Sequence, residues 1–451
     1  MDKKKHPELL CPAGSLQLLK IAVRYGADAV YLGGEAFSLR AKASNFTHDE
    51  MAEGIAFAHE HGVKVYVTAN IFAHEADLPA AAAYFRELAE LRPDGILIAD
   101  PGMFVLAREN CPDLPLHIST QANTTNSASA RFWHALGAER IVAARELSLS
   151  ELRKLRDAVP EELSLEAFVH GAMCISYSGR CLLSNYLVGR DANRGLCTHP
   201  CRWKYAVFQE GTERKRPAVE EAEKPASGNE EGGHLPCAEG EYAVAEATRP
   251  GEYFPIEENE RGTFLFNSKD LCMVGHLPEL YEAGIDSFKI EGRMKTALYV
   301  AACARTYRMA MDDYEKDPEL YQSRIPLYMR QIAACTTRTF TTGFYFGKPG
   351  ANEQIYENST YVTGSTYLGL VEEVSGNGSV RLRQKNKFCV GDIIEIMKPD
   401  GRNVPARVLS IRNGEGVEMP SAPHAGEELR VLLESGTAAE PWDILRTPAG
   451  K

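Results

Sequence analysis

Four cysteines that lie close together in the chain are the residues whose type and spacing most directly suggest chemistry. Cys174, Cys181, Cys197 and Cys201 follow the pattern C-x6-C-x15-C-x3-C, in a segment rich in Gly, Ser and Arg. Four thiolates on one loop are typical of a zinc site or an iron–sulfur cluster. Structural zinc usually takes closely spaced cysteine pairs, and only the last pair here is close. The spacing therefore favours a four-iron cluster.

The other seven cysteines show no comparable pattern. Cys111 and Cys335 are isolated, and Cys237 lies in an acidic segment, where it is the alternative fourth ligand. The remaining four stand in apolar runs and are expected in the core, since a free cysteine behaves as a small apolar residue: Cys11, Cys272, Cys303 and Cys389.

The composition is that of a globular protein of two or three domains. The chain has 451 residues, of which 44% are hydrophobic and 25% are charged, so it can bury a full-size core. The net charge is −12, and residues 210–260 contribute −9 of it through 14 acidic and 5 basic side chains. The rest of the chain is near neutral. This balance excludes a strongly basic nucleic-acid scaffold, but it leaves room for a local basic patch.

The chain shows no sign of a membrane or secretory location. No window contains eighteen consecutive apolar residues, which a spanning helix would need. The first six residues, MDKKKH, lead into a predicted strand without an apolar signal region. We therefore expect a cytoplasmic protein whose cysteines form no disulfides.

Short apolar runs alternate with amphipathic stretches from residue 8 to about 170, which predicts right-handed βαβ units and a parallel sheet. The predicted strands are Glu8–Cys11, Ala29–Gly33, Lys64–Asn70, Gly95–Asp100, Leu116–Thr120, Arg140–Ala144 and Leu163–Val169. The predicted helices between them include Ser15–Tyr25, Thr47–His61, Leu78–Leu91, Ser127–Leu136 and Ser148–Ala158. Seven successive units favour a TIM-like (β/α)8 barrel.

The closing strand of this barrel has two candidates. Asp286–Glu291 is followed by a predicted helix, Thr296–Tyr314, and would complete the eighth unit, whereas Thr263–Phe266 is a competing strand. We assign residues 1–340 to the barrel, with a cysteine-bearing insertion at about 172–262 whose acidic part, 208–260, is predicted to be flexible. Alternating β-branched residues and turn signals predict a small all-β, barrel-like domain at 357–445.

Several motifs together identify a family resemblance. Residues 166–184, EAFVHGAMCISYSGRCLLS, resemble the signature of the collagenase-like, unclassified-type peptidase family. Further similar segments are 8–14, 26–31, 121–123, 193–203, 267–271 and 289–293, so the resemblance covers nearly the whole chain. Segments 249–253 and 386–392 are most similar to the bacterial branch of prephenate-dependent tRNA uridine hydroxylases.

This resemblance implies a tRNA-modifying enzyme. It implies hydroxylation of the wobble uridine in the anticodon loop, prephenate as a co-substrate, and a 4Fe–4S cluster on cysteines matching Cys174, Cys181, Cys197 and Cys201. A collagenase-like protease is the first alternative, although the chain has neither G-x-S-x-G nor H-E-x-x-H, and His170 has no recognisable carboxylate partner. A zinc-stapled RNA-binding module is the second.

Polar residues near the predicted strand ends supply the candidate site. Glu166 and His170, on the seventh strand, are the candidate catalytic residues. A dicarboxylate entering a barrel needs Arg or Lys partners, and the candidate substrate-binding residues are Gln121, Asn123, Arg180, Lys269, Lys289, Glu291 and Arg293. Each cation has an ion pair as its structural alternative, for instance Lys289 with Glu291. Asn267 and Asp270 could instead cap a helix starting near Leu271.

An RNA substrate needs positive charge and flat faces on which a base can stack. A base in a loop can also be turned into a pocket at modest cost. The candidate RNA-binding residues are Arg40, Lys42, Tyr177, Arg190, Arg194, Arg202, Trp203 and Lys204. The alternative for this set is an ordinary solvated rim.

Overall fold

The computed structural model describes most of the chain. The described residues are 6–38, 45–174, 177–181, 183–188, 190, 192, 196–198, 201, 242–245, 253–259, 262–264, 268–335, 338–348, 364–434 and 439–448.

The larger domain is built from the following elements. Its strands are β1 Glu8–Pro12, β2 Ala29–Leu32, β3 Lys64–Ala69, β4 Gly95–Ile98, β5 Leu116–Ile118, β6 Ala138–Val142, β7 Ser164–Ala172, β8 Tyr242–Ala245, β9 Tyr253–Asn259, β10 Gly262–Phe264, β11 Asp270–Cys272, β12 Ser287–Ile290 and β13 Phe340–Thr341. Its helices are α1 Leu16–Arg24, α2 His48–Glu60, α3 Leu78–Leu91, α4 Pro101–Asn110, α5 Ser127–Ala135, α6 Leu149–Asp157, α7 Leu183–Val188, α8 Leu277–Glu282, α9 Ala297–Lys316 and α10 Pro318–Ala333.

Eight parallel strands close into a barrel, as predicted. Strands β1 to β7 pair in chain order, and β12 pairs with both β1 and β7, so the unit beginning near Asp286 completes the barrel. The competing run Thr263–Phe266 contributes to β10, which pairs antiparallel with β9 in a separate sheet. Strands β8 and β9 lie within the insertion for which little order was expected, and most of its other residues lie outside the described part of the chain.

Local signals in the sequence explain several element boundaries. The S/T-x-x-E sequences at two helix starts form capping boxes, with Thr47 and Glu50 at the start of α2 and Ser148 and Glu151 at the start of α6. The expectation that Asp270 caps a helix is wrong. Asp270 begins β11, which pairs antiparallel with β7 and parallel with β13, because the buried triplet Asp270–Cys272 extends the sheet beside β7.

The smaller domain is an antiparallel barrel of six strands. Its elements are β14 Tyr367–Val374, β15 Ser379–Arg383, β16 Phe388–Cys389, β17 Ile393–Met397, β18 Asn403–Asn413, β19 Glu418–Met419, β20 Ser421–Ala422, β21 Glu428–Leu433 and β22 Ile444–Arg446. The closed order is β14, β15, β21, β18, β17 and β22, and β22 pairs again with β14. The domain has its own apolar core.

Buried hydrogen bonds join the two domains. The Tyr25 hydroxyl donates to the carbonyl oxygens of Met397 and Trp442, at 2.9 and 3.1 Å. Arg305, 1% exposed, donates to the Lys398 carbonyl oxygen at 2.9 Å. These bonds satisfy polar groups that would be costly to bury alone, so they fix how the domains pack.

The cysteines outside the quartet are mostly buried. Three of the four predicted core cysteines, Cys11, Cys272 and Cys303, are buried, but Cys389 is only half-buried on the short strand β16. No helix in the described ranges combines the length and apolar character needed to cross a membrane.

Candidate functional site

A cavity of about 150 Å³ lies at the carboxyl ends of the barrel strands. Its walls come from residues that follow several strands, including Asn70 after β3, Gln121 after β5, Arg145 after β6 and Glu291 after β12. The carboxyl ends of barrel strands are where active sites of this architecture are found. The cavity is therefore the candidate functional site.

All four cysteines of the quartet line this one cavity. Cys174 is exposed, and Cys181, Cys197 and Cys201 are half-buried. Gly179, with φ of 72°, lets the loop between the first two cysteines lie on the turn after β5, since a Cβ there would stand 2.3 Å from the Gln121 carbonyl oxygen. Within the described residues, no three His, Cys, Asp or Glu side chains are grouped closely enough to hold a metal ion.

Lys289 lines the cavity and forms an ion pair with the buried Glu166. Its ammonium is 2.7 Å from a carboxylate oxygen of Glu166, and it lies 4.4 Å from the ring centroid of Tyr31 and 5.6 Å from that of Phe168. Burial lowers the pKa of Lys289, while the attraction of Glu166 opposes this shift. The ion-pair alternative is correct in kind, but the partner is Glu166 instead of Glu291.

Arg293 forms another part of the cavity wall. Its guanidinium donates to the hydroxyl oxygens of Ser38 and Thr68, at 2.7 and 3.1 Å. The guanidinium lies directly against the backbone of Gly33, where a Cβ would come within 2.2 Å of Nη1. The glycine is therefore required for this position of the arginine, which is 6% exposed.

Arg145 is a cavity cation that sequence reasoning missed. It follows β6 in a turn, and its guanidinium carbon lies 3.9 Å from the ring centroid of Phe168, within cation–π range. Its Nη2 is 3.8 Å from Oε2 of Glu291. Its position just after a barrel strand was the signal that could have found it.

Glu166 does not line the cavity, so the structure gives no support to a catalytic role for it. Its side chain is fully buried beneath the cavity floor, where it accepts from Arg140 at 3.1 Å and from Lys289 at 2.7 Å. Arg140 also pairs with Glu8 at 2.7 Å. Glu166 belongs to a buried ionic layer inside the barrel.

His170, the second predicted catalytic residue, also lies away from the cavity. It packs on the outer side of the barrel against the rings of Tyr299 and Tyr307 of α9, with ring centroids 5.8 and 5.6 Å away. Both ring nitrogens are buried and have no hydrogen-bond partner among the described residues. Burial lowers its pKa to about 3, so the ring is neutral and has no access to a ligand in the cavity.

The remaining predicted residues fall into three groups. Those that line the cavity are Gln121, Tyr177, Lys289, Glu291 and Arg293. Those that are described but do not line it are Asn123, Arg180, Arg190 and Lys269. Those that lie outside the described residues are Arg40, Lys42, Arg194, Arg202, Trp203 and Lys204.

Comparison with known proteins assigns the chain to a family. The model described as peptidase family U32 matches residues 14–355, and the model of the U32 C-terminal domain matches residues 363–446. The chain belongs to peptidase family U32. The two matched segments contain the smaller barrel and all of the larger barrel except its first strand, β1.

Three relatives similar to this chain carry names from RNA hydroxylation. The tRNA hydroxylation protein P of Escherichia coli (strain K12) is 38% identical over 429 residues, 93% of this chain and 92% of that protein. The tRNA hydroxylation protein P1 of Bacillus subtilis (strain 168) is 37% identical over 431 residues, 95% of this chain and 92% of that protein. The 23S rRNA 5-hydroxycytidine C2501 synthase of Escherichia coli (strain K12) is 32% identical over 305 residues, 68% of this chain and 39% of that protein.

The neutral His170 of this U32 protein leads to a prediction about acid stability. Because its pKa falls from the ordinary 6.5 to about 3 on folding, the unfolded chain binds a proton between these values that the folded chain does not. The free energy of unfolding therefore falls as the pH drops from about 6.5 towards 3. For this one group the slope is about 1.4 kcal/mol per pH unit. In urea unfolding experiments between pH 7 and 4, His170→Phe should make the free energy of unfolding less dependent on pH.

The exposed His48 provides the control for this measurement, because its ring is largely in solvent. His48→Asn should leave the slope of the free energy of unfolding against pH unchanged. An equal slope in the wild type and in His170→Phe would contradict the assignment of His170 as a buried neutral ring.

Proposed function

We propose that the protein hydroxylates the wobble uridine of tRNA, with prephenate as co-substrate and a 4Fe–4S cluster bound by Cys174, Cys181, Cys197 and Cys201. The observation that carries the proposal is that all four cysteines line the same strand-end cavity as three cationic side chains. Two relatives that match over most of their length are named for tRNA hydroxylation, and a third for hydroxylation of 23S rRNA. The proposal implies that the protein acts in the cytoplasm, where its substrate is found.

The donor set of the quartet is consistent with an iron–sulfur cluster. Cysteine thiolates are the usual ligands of a 4Fe–4S cluster, and four of them face one cavity. Because no group of three ligands is assembled in the described residues, binding of the cluster would have to draw the sulfur atoms together. When bound, the cluster would supply electron-transfer or Lewis-acid chemistry at the wall of the cavity.

The residues of the cavity would bind and orient the two substrates. Lys289, Arg293 and Arg145 are cations in a largely enclosed space, which suits an anionic co-substrate. Tyr177 lines the cavity and is 59% exposed, so its ring offers a face on which the flipped uridine base can stack.

The two alternative functions have less support. A protease would need an activated nucleophile and a base, but His170, the candidate base, is buried and outside the cavity. A zinc-stapled module would use the same four thiolates, so metal analysis separates it from the proposal. Anaerobically purified protein should contain iron and acid-labile sulfide, whereas stoichiometric zinc would support the module.

Expression of this chain should restore tRNA hydroxylation in a bacterial strain that has lost it. Mass spectrometry of tRNA nucleosides should show wobble uridine gaining the mass of one oxygen atom, because the chain would supply the missing activity. The same host made unable to synthesise prephenate should show no gain. Stable expression without any change in the wobble uridine would refute the assignment.

A further inference from the structure

The charges that line the cavity are unequal in number. Its described lining contains three cations, Arg145, Lys289 and Arg293, and one carboxylate, Glu291. Glu166, buried beneath the floor, compensates Lys289, so the two arginines face a single lining carboxylate. Enclosing an excess of positive charge is costly unless a counter-charge is present. Arg145 and Arg293 can therefore accept a ligand that carries negative charge.

The three cations differ in how they are held. Lys289 has a hydrogen-bonded carboxylate partner in Glu166, at 2.7 Å, and Arg293 donates to Ser38 and Thr68. Arg145 donates no hydrogen bond to any described residue, although its side chain is only 12% exposed. Its separation from Glu291, 3.8 Å, exceeds hydrogen-bonding distance. The N–H groups of Arg145 thus remain available to a ligand in the cavity.

Phe168 fixes the orientation of this guanidinium. The ring lies 3.9 Å from the guanidinium carbon of Arg145 and 5.6 Å from the ammonium of Lys289, so both cations are arranged around one aromatic side chain. A guanidinium held by its face against a ring keeps its N–H edge free for two parallel hydrogen bonds to a carboxylate. Because both cations line the same cavity, one small molecule bound there can reach both.

We propose that Arg145 binds one carboxylate of a small dicarboxylate co-substrate in this cavity, and that Lys289 faces the second carboxylate. This inference rests on the proposed function and specifies where its anionic co-substrate is held. Glu291, which approaches Arg145 in the structure, competes with the incoming carboxylate. Arg145 is thus a specificity-determining residue that favours dianions over monoanions.

Calorimetric titration of the full-length protein tests this assignment. Arg145→Gln should weaken prephenate binding about 10- to 100-fold, because the ligand loses a charge-assisted pair of hydrogen bonds. Arg145→Lys should lose less prephenate affinity, because lysine keeps the positive charge but cannot form the pair of parallel hydrogen bonds. Glu291→Gln should bind prephenate a few-fold more tightly, because it removes the competing carboxylate. In activity assays, Arg145→Gln should raise KM for prephenate more than it lowers kcat.

Two comparisons make this experiment decisive. Phenylpyruvate, a monocarboxylate, should bind more weakly than prephenate to the wild type, because it can engage only one of the two cationic groups. Arg153→Gln is the matched control, because Arg153 is an exposed arginine on α6, the helix that follows the Arg145 turn. Unchanged prephenate affinity in a folded Arg145→Gln variant would overturn the inference while leaving the proposed function intact. A wild type that binds no prephenate and modifies no tRNA would overturn both.

Discussion

Alanine in place of any one of Cys174, Cys181, Cys197 or Cys201 is expected to abolish iron binding and RNA hydroxylation together. A cubane cluster needs one thiolate for each of its four irons, so loss of one ligand opens the cluster to loss of iron. The iron content of protein purified without air should fall from about four atoms per chain to near zero. Iron and acid-labile sulfide assays, together with the brown colour of the preparation, measure this directly.

Two other cysteines provide the comparisons for this experiment. Cys389, half-buried on β16 of the smaller barrel, is a matched control whose replacement by alanine should leave the iron content unchanged. Cys237→Ala tests the alternative ligand set. If Cys237→Ala loses iron while Cys201→Ala keeps it, the fourth ligand is Cys237. Brown colour that survives all four replacements in the quartet would show that these thiols hold no cluster.

Much of the larger barrel could be predicted because its signals are local. The apolar runs and the capping boxes at Thr47 and Ser148 are properties of short segments, and they match the observed strands and helices. The wrong prediction that Asp270 caps a helix shows what local signals cannot reveal. Whether a short apolar segment forms a helix or a strand depended on a neighbour far away in the chain, since β11 exists by pairing with β7.

The orientation of residues along β7 could not be predicted from its sequence. Seven of its nine residues are buried, so no alternation of polar and apolar residues separates the inner face from the outer one. The register between β7 and β12 also shifts between Phe168 and His170. Phe168 lines the cavity, whereas His170, two residues further on, packs against α9. A bulge reverses the faces in this way, and no local sequence signal announced it.

Arg145 was missed for a related reason. Sequence reasoning selected cations by their place in motifs, whereas Arg145 reaches the cavity through its position at the end of β6 and its contact with Phe168. The distance between these two residues in space depends on the pairing of β6 with β7. The quartet of cysteines was easier to find because its spacing is visible within a single loop.

Replacing Glu166 by glutamine is expected to lower the free energy of unfolding by about 3–5 kcal/mol. Glu166 is fully buried and accepts hydrogen bonds from both Arg140 and Lys289. The variant leaves these two buried cations with Glu8 as their remaining carboxylate within the layer. The penalty arises mainly from uncompensated charge, since glutamine has nearly the same volume as glutamate. Urea unfolding followed by circular dichroism measures it.

A second replacement separates lost charge compensation from lost packing. The double variant Glu166→Gln, Lys289→Met removes one buried cation together with its partner, and replacing both members of a buried pair is often close to neutral. It should therefore recover much of the lost stability. Exposed Glu151→Gln, at the start of α6, is the control and should cost about 1 kcal/mol or less. If Glu166→Gln instead kept full stability and lost only catalysis, Glu166 would act in the reaction and its assignment to the ionic layer would be wrong. The expected result is the opposite, a loss of stability that the removal of Lys289 largely reverses.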